Sequence, residues 1–484
     1  MKNAPALKRT GILLKPDRKR VLIRPFIPSN RKSAERRIQR LMSLSEEKSR
    51  KLLNQVFQEF QSRHPEQIQE LLLNQYESLP IWLVEGLSVS SERKQLIAAY
   101  FSSEYSIEAA ALFNPSIVPH PQQDDAKHLN FILSLRATGE GHVSSIEFRS
   151  GFVNEQQTIT IHPAHRHVTA PQQNRNAFYE KELFERKLHE LGHLNERTQR
   201  MLASCGPTFN FEELRRSLQP VMVEAGIEDP NFDPMARVIL LLARSNYEVQ
   251  FSPRQNLSER ILFPSSPTEV NGIEDARFVL FHNEDGSKIY YATYTAYDGK
   301  CILPQLLETR DFLHFKFNTL NGPAVQNKGM ALFPKKIQGL YAMLARQDDE
   351  NIFIMFSDHL HFWHSTQILL EPSYPWEFVK IGNCGSPIET AAGWLVLTHG
   401  VGAMRKYSIG AILLDLDDPT RVIGRLREPL ITPDETEREG YVPNVVYTCG
   451  ALAHQGTLIL PYAMSDSVSS FATVSIDDIL SAMV

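Results

Sequence analysis

Five times along the chain a short apolar, β-prone run ends on a polar residue. Leu129–Leu135 closes on Arg136, Tyr290–Tyr294 on Thr295, Leu340–Ala345 on Arg346 and Trp394–Thr398 on His399; Leu458–Tyr462 continues through Ala463 to Asp466. Four of the five follow a turn signal, at Gly286, Gln338-Gly339, Ala392-Gly393 and Gln455-Gly456. Glycine tolerates the positive φ that a tight hairpin demands. A second strand follows each run, for example Ile352–Phe356 or Ser408–Leu414. From the second unit onward the starts lie roughly 50 to 65 residues apart, the period of a propeller blade. The sequence therefore predicts a mainly β fold, a five-bladed β-propeller. In such a repeat the residue that ends the equivalent strand falls at the same depth in every blade. Arg136, Arg346 and His399 are expected to converge near the axis.

The 484 residues suit roughly two to four domains, or one large repeat fold with additions. Residues 1–30 read as irregular to extended, punctuated by Pro5, Pro16, Pro25 and Pro28. From Ser33 the apolar spacing turns helical, through Ile38, Leu41, Leu53, Val56, Phe57, Leu71 and Leu72. Pro65 stands where a helix can begin, and Ser91 to about Tyr105 reads as another helix. Residues 1–104 are thus a basic arm and helical extension. Its apolar stripes suit a core or a subunit interface, so a homo-oligomer would form there. Residues 105–484 are the propeller, interrupted at about 170–245 by a helical insertion. Tyr179–Met201 and Phe211–Val223 are its helices, and Pro234–Ala243 fits strand or helix.

Hydrophobic residues at 42% and charged ones at 22% describe a soluble globular chain. No apolar run approaches the ~20 residues a membrane helix needs. The N-terminus is basic but has no apolar segment or small-residue cleavage site, so no secretion signal is read. Cys205, Cys301, Cys384 and Cys449 are far apart in sequence and are expected to be reduced and buried, in a cytoplasmic protein. Residues 1–40 carry 13 Lys and Arg against Asp17 and Glu35, a net of +11 that leaves −16 on the remainder. Such an arm can bind nucleic acid or dock on the acidic body of its own protein or of a neighbouring subunit. The absence of interleaved aromatics and of zinc-ligand spacing argues against nucleic acid.

The chemistry centres on Asn271-Gly272-Ile273-Glu274-Asp275-Ala276-Arg277-Phe278, where two carboxylates stand between a glycine turn and an arginine. A strand, a hairpin signal at Asn283–Gly286 and a second strand follow. Glu274-Asp275 should lie at the mouth of a strand. Alone, the motif fits equally an ion pair that closes a loop. The rest of the chain adds Lys328, Arg346, Lys380 and His399, beside Arg136. An inverting glycosidase needs an acid and a second carboxylate to activate water. A phosphorylase needs the acid and cations that hold a phosphate dianion. One acid among several cations favours phosphorolysis.

A competing motif is His189-Glu190-Leu191-Gly192-His193, which matches the H-E-x-x-H pattern of zinc metallopeptidases. Its extended form fails, because Glu196 and Gln199 stand where glycine and histidine would follow. Glu212 or Glu213 would have to serve as third ligand. The bland reading is a solvated, charged helix face with Glu190 at the surface. A second cluster, His359, His361 and His364, places the first two on one side of a strand but lacks a bridging carboxylate; His162, His165 and His167 read as loop residues. No metal is expected.

Several ordered stretches resemble glycoside hydrolase family 130. They are Gly272–Arg277, Ala331–Ile337, Trp394–Val401, Leu414–Pro419 and Glu437–Val446, and the resemblance covers about 105–168 and 245–484. It implies a five-bladed β-propeller and, for most members, inverting phosphorolysis of β-mannosides to α-mannose 1-phosphate. A minority are inverting β-mannosidases. It implies that Asp275 is the proton donor, acting through the mannosyl 3-hydroxyl. Lys328, Arg346, Lys380 and His399 match phosphate-binding positions, with Tyr407 near the phosphate. Asn114, Arg136, Glu274 and Asp466 match positions lining the sugar and phosphate subsites. No cofactor is implied; inorganic phosphate is co-substrate beside a mannoside or oligosaccharide. The chain has Ala276 where proline is usual and Lys328 where arginine is common. The second departure keeps hydrolysis, with Glu439 activating water, as the alternative.

Overall fold

The computed structural model describes residues 5–64, 68–123, 127–174, 178–227, 233–299 and 302–484; Pro65 and Cys301 lie outside these. The protein is mainly β; most helices gather in two places, and a short one, Ile476–Ala482, follows the last strand. Five antiparallel meanders follow one another. The first comprises Ala111–Pro119, Leu129–Thr138, Ser144–Val153 and Ile159–Ile161. The second comprises Gly272–His282, Lys288–Tyr297, Ile302–Thr309 and His314–Thr319. The third runs through Lys328–Leu332, Tyr341–Arg346, Ile352–Ser357 and Gln367–Leu370. The fourth has Lys380–Asn383, Gly393–Val401, Tyr407–Leu414 and Val422–Arg425. The fifth has Val446–Tyr447, Thr457–Met464 and Val468–Ser475, and takes its outer strand from the N-terminus: Lys8–Leu14 pairs with Val468–Ser475. The five runs that recur in the sequence are the second strands of these meanders, not the first.

Each meander buries apolar side chains against its neighbours on both sides. Phe148 and Ile132 of the first meet Phe278 and Tyr290 of the second. Phe281 and Tyr291 of the second meet Leu332 and Met343 of the third, and Leu344 and Ile354 of the third meet Trp394 and Ile412 of the fourth. Leu397 and Ile409 pack on Leu460 and Tyr462 of the fifth, while Ile459 and Phe471 pack on Phe131 and Leu133 of the first. Alternating strands generate two apolar faces, and such a strand is stable only when both are covered. Burying a side chain such as Leu or Phe is worth roughly 1.5–3 kcal/mol.

The basic arm docks on its own chain. Arg9 pairs with Glu437 at 2.9 Å. Arg20, which is 1% exposed, contacts Glu108 at 2.7 Å and Glu147 at 3.1 Å. Val21–Pro25 pairs with Ser102–Ser106, so the helix that begins at Ser91 stops at Tyr100 and the chain turns to strand, short of the expected Tyr105. The helical extension is α1 (Arg31–Met42), α2 (Glu46–Phe60), α3 (Ile68–Glu77), α4 (Ile81–Val84) and α5 (Ser91–Tyr100), around its own core of Leu53, Leu72, Leu96 and Phe101. Asn30, Ser45 and Ser90 cap α1, α2 and α5.

The insertion contains α6 (Lys181–Glu190), α7 (Glu196–Ala203), α8 (Phe211–Glu224) and α9 (Pro234–Arg244), again with its own core. Pro234–Ala243 is therefore helical; Asp233 caps it and Pro234 suits its first turn. The continuous helix expected over Tyr179–Met201 is broken. Gly192 takes φ 71°, and the His193 N–H reaches back to the Leu188 carbonyl at 2.7 Å, which ends α6. Among the described residues, no helix is long and apolar enough to cross a membrane.

Candidate active site

The first strands of the first three meanders share one irregularity. Pairing skips after Phe113↔Arg136, after Glu274↔Thr295 and after Lys328↔Arg346. The residues at these bulges, Asn114, Asp275 and Gly329, all have positive φ: 47°, 53° and 87°. A non-glycine residue held there costs about 1–3 kcal/mol, and such strain collects at functional sites. Two of the bulged side chains meet: the Asn114 amide donates to Asp275 Oδ1 at 2.7 Å. The third position must be glycine for a different reason. A Cβ on Gly329 would lie 2.3 Å from Arg346 Nε.

Arg136 fixes the paired carboxylates. It donates to Asp275 Oδ1 at 3.0 Å and to Glu274 Oε1 at 2.7 Å, while its Nε holds Ser144 Oγ at 2.9 Å. Its guanidinium lies over the Phe113 ring at 5.0 Å. Burial opposes ionisation of Asp275. Arg136, Arg277 and Lys328, with the Asn114 amide, outweigh it and hold the carboxyl well below the usual range. Asp466, also at positive φ, behaves oppositely. Burial and then the charge of Asp275 push it up to about 6, against Arg136 and Arg405.

The cations assemble from separate meanders. Arg346 donates to His399 Nε2 at 3.1 Å, and its own Nε is buried without a hydrogen-bond partner. Burial first, then Arg346, Arg277 and Lys380, push His399 well below its ordinary value. The imidazole is neutral; because Nε2 accepts, we assign the proton to Nδ1. Tyr407 stacks on His399 with ring centroids 5.8 Å apart. Gly382 permits this approach, since a Cβ there would lie 2.4 Å from both Arg346 Cδ and His399 Cε1. Lys380 pairs with Asp349 at 2.8 Å.

The structure thus brings Asn114, Arg136, Glu274, Asp275, Lys328 and Asp466 into one electrostatic group, and Arg346, Lys380, His399 and Tyr407 into an adjoining one. Arg277 bridges them. It donates to the Cys384 carbonyl at 2.8 Å and to the Tyr447 hydroxyl at 2.6 Å, fully inside the protein. The sequence reading leaves Arg277, Tyr447 and Arg405 out of the site. Arg277, two residues after Asp275 on the same strand, was the available signal. Cys205, Cys384 and Cys449 are free and buried.

The H-E-x-x-H residues are elsewhere and do not form a metal centre. His193 lies beyond the end of α6, so the two histidines do not share one helical face. Glu190 is not simply solvated: it takes Lys187 Nζ at 2.8 Å and the Gly322 N–H at 2.8 Å. His359 and His361 sit in a turn rather than on a strand, and the His361 carbonyl accepts from the Asn321 N–H. Burial first, then His359 and Lys316, lower His361 to about 3. Among the described residues, no group of three or more His, Cys, Asp or Glu is placed to hold a metal ion.

Comparison with known proteins gives the family of the chain. The family profile described as beta-1,4-mannooligosaccharide phosphorylase matches residues 234–484. A 1,2-beta-oligomannan phosphorylase of Thermoanaerobacter sp. (strain X514) is 36% identical over 231 residues, 46% of this chain and 75% of the relative. A beta-1,2-mannobiose phosphorylase of the same organism is 33% identical over 227 residues, 46% of this chain and 72% of the relative. The solved beta-1,2-mannobiose phosphorylase of Listeria innocua aligns with 78% of this chain and 92% of its own, at 20% identity and a TM-score of 0.47. The profile match spans more than half of the chain, and with it the protein is an enzyme of glycoside hydrolase family 130.

Proposed function

We propose that the protein cleaves β-mannosides by inverting phosphorolysis, releasing α-mannose 1-phosphate and a shortened acceptor. The observation that carries this reading is one strained carboxylate, Asp275, faced by Arg136, Arg277 and Lys328 and adjoining the Arg346–His399 pair. Phosphate is already a nucleophile and needs cations, not a base. In this reading a phosphate oxygen forms the new bond to the anomeric carbon while the glycosidic C–O bond breaks on the opposite face. The leaving oxygen takes its proton from Asp275 through the mannosyl 3-hydroxyl. Arg346, with Lys328 and Lys380, holds the phosphate. His399 orients Arg346, Tyr407 supports His399, and Asn114, Arg136, Glu274 and Asp466 bind the sugar.

The depressed Asp275 fits this role only when phosphate is bound. A dianion beside Lys328 and Arg346 offsets the positive field that keeps the carboxyl ionised, so its proton affinity rises as the reactants assemble. The named activities of the relatives support mannoside phosphorolysis. The scaffold of the reading is a five-bladed propeller over 105–484. The shared cores join the fifth meander to the first, and the Leu112 N–H donates to the Ser467 carbonyl across that junction. In this arrangement the first strands line the axis, where Asp275, Lys328 and Lys380 stand. Residues 1–104 form the extension and about 170–245 the insertion.

The test is incubation of β-1,2- and β-1,4-mannobiose with and without inorganic phosphate. Phosphate-dependent α-mannose 1-phosphate is expected. Free mannose formed at an equal rate without phosphate would replace this reading with an inverting β-mannosidase.

A further inference from the structure

The linkers that lead into the meanders repeat a small device. Before the second meander the chain reads Ser265-Ser266-Pro267-Thr268-Glu269, and Glu269 accepts the N–H groups of Ser265 and Ser266, both at 3.0 Å. Before the fourth it reads Ser373-Tyr374-Pro375-Trp376-Glu377, and Glu377 accepts those of Ser373 and Tyr374 at 2.8 and 2.9 Å. In both, the glutamate is fully buried, its N–H returns to the residue three before it, and the first strand begins three residues later, at Gly272 and Lys380.

The third linker keeps the frame and lacks the acid. It reads Asn321-Gly322-Pro323-Ala324-Val325, the Val325 N–H returns to the Gly322 carbonyl at 2.9 Å, and the strand begins three residues later at Lys328. Valine cannot accept the Gly322 N–H. Glu190 of α6 does so, at 2.8 Å. Its other oxygen takes Lys187 Nζ, which also reaches the Leu320 carbonyl at 3.4 Å. Arg186 lies over Phe362, beside the same linker, at 4.9 Å.

We infer that Glu190 is a positioning residue for the reaction: it supplies from the insertion the carboxylate missing from the third linker, and so sets Lys328 and its cross-strand partner Arg346. The inference rests on the phosphorolysis reading, in which these two cations hold phosphate. The HExxH glutamate is thereby given a role with no metal. The insertion becomes a working part of the catalytic domain, tied to the strand that carries Lys328 and pairs with the strand of Arg346.

The experiment has two readouts. Hydrogen exchange over residues 318–330 reads the clasp itself, whatever the reaction. The KM for phosphate, against kcat and the KM for mannobiose, reads positioning. Glu190→Ala should speed exchange in that segment and raise the phosphate KM about tenfold, with kcat at saturating phosphate within about twofold of wild type. Glu190→Gln, which keeps an acceptor oxygen, should stay within about threefold of wild type. Val325→Glu in the Glu190→Ala background restores the acid in cis and should bring the phosphate KM back toward wild type. Should that variant not fold, because Val325 is buried, the Ala and Gln pair still decides. His189→Ala and His193→Ala should match wild type. Unchanged exchange in Glu190→Ala overturns the clasp. Faster exchange with an unchanged phosphate KM overturns the positioning role. Equal losses in the two histidine variants overturn it in favour of a metal site. A wild type indifferent to phosphate fails the underlying reading, and the positioning role with it; the exchange result then stands by itself as a structural finding.

Discussion

Two places in the molecule use the same ingredients, two carboxylates and two arginines, to opposite ends. One is Arg20, Glu108, Glu147 and Arg149, all at most 5% exposed. Arg149 contacts Glu147 at 2.6 Å and Glu108 at 3.2 Å, and the Asp17 N–H donates to Glu108 at 2.7 Å. No residue of this quartet is at positive φ. The other is Glu274, Asp275, Arg136 and Arg277. Its Arg136, Glu274 and Asp275 side chains remain 17%, 19% and 16% exposed, and Asp275 is held at φ 53°. The first cluster closes on itself and clasps the N-terminal arm to the first meander. The second leaves an edge open and spends backbone strain to aim a carboxylate. Charge content therefore does not separate the two clusters; strain and an open face mark the second, the one proposed to react.

The comparison can be broken by exchanging outcomes between the clusters. The largest expected effect is that of Asp275→Asn, which removes the transferable proton and keeps size. Turnover of mannobiose with phosphate should fall about 10²–10⁴-fold while the thermal transition persists. Unchanged turnover would move Asp275 into the structural class. Next comes Arg20→Met, which leaves buried carboxylates with too little positive charge. Unfolding free energy should drop by about 3–5 kcal/mol, and kcat per folded molecule should not change. A loss of kcat at constant stability would put that quartet in the functional class.

Arg346→Ala sharpens the division inside the site. A charge-assisted contact is worth about 1.5–3 kcal/mol, so the phosphate KM should rise about tenfold to a hundredfold. High phosphate should recover part of the rate, because the acid is intact. It should not rescue Asp275→Asn.

The smallest effect concerns pH. Asp466 has a folded value of about 6 against an ordinary 3.8. The folded state thus binds the proton more tightly than the unfolded one. Stability from this group is full below about pH 4 and declines as pH rises toward 6. Asp466→Asn should therefore stabilise the protein by at most about 3 kcal/mol above pH 7, with the gain vanishing below pH 4. Thermal melts across that range check it. A gain that persists at pH 3.5 would rule out charge as the cause.

Much of the fold is legible in the sequence. The second strands stood out because alternating apolar residues between glycine turns allow little else. Asp275 was singled out not by its own motif, which fits a loop-closing ion pair equally, but by the cations elsewhere in the chain and the family resemblance. The residues that escaped notice are those whose meaning lies across the fold. Arg277 looks like a loop partner of Asp275 until Tyr447, 170 positions away, accepts its hydrogen bond. Glu190 looks like a solvated acid, or a zinc motif, until Gly322 is beside it. A signal was present in Ser266–Glu269 and Tyr374–Glu377, with Gly322–Val325 as the odd one out.

By itself the sequence determined the mainly β character, the repeated strand and hairpin and the two helical regions. These follow from local periodicity, turn chemistry and residue type, which act over a few neighbouring positions. Only tertiary structure decided which strands of the meanders bulge at Asn114, Asp275 and Gly329 and where α6 ends. The same is true of Asp275's deep ionisation, of His399 as a neutral acceptor and of the partner of the Gly322 N–H. Those depend on burial and on charges brought together from distant segments, because desolvation and Coulomb energy are set by distance in space rather than by distance along the chain.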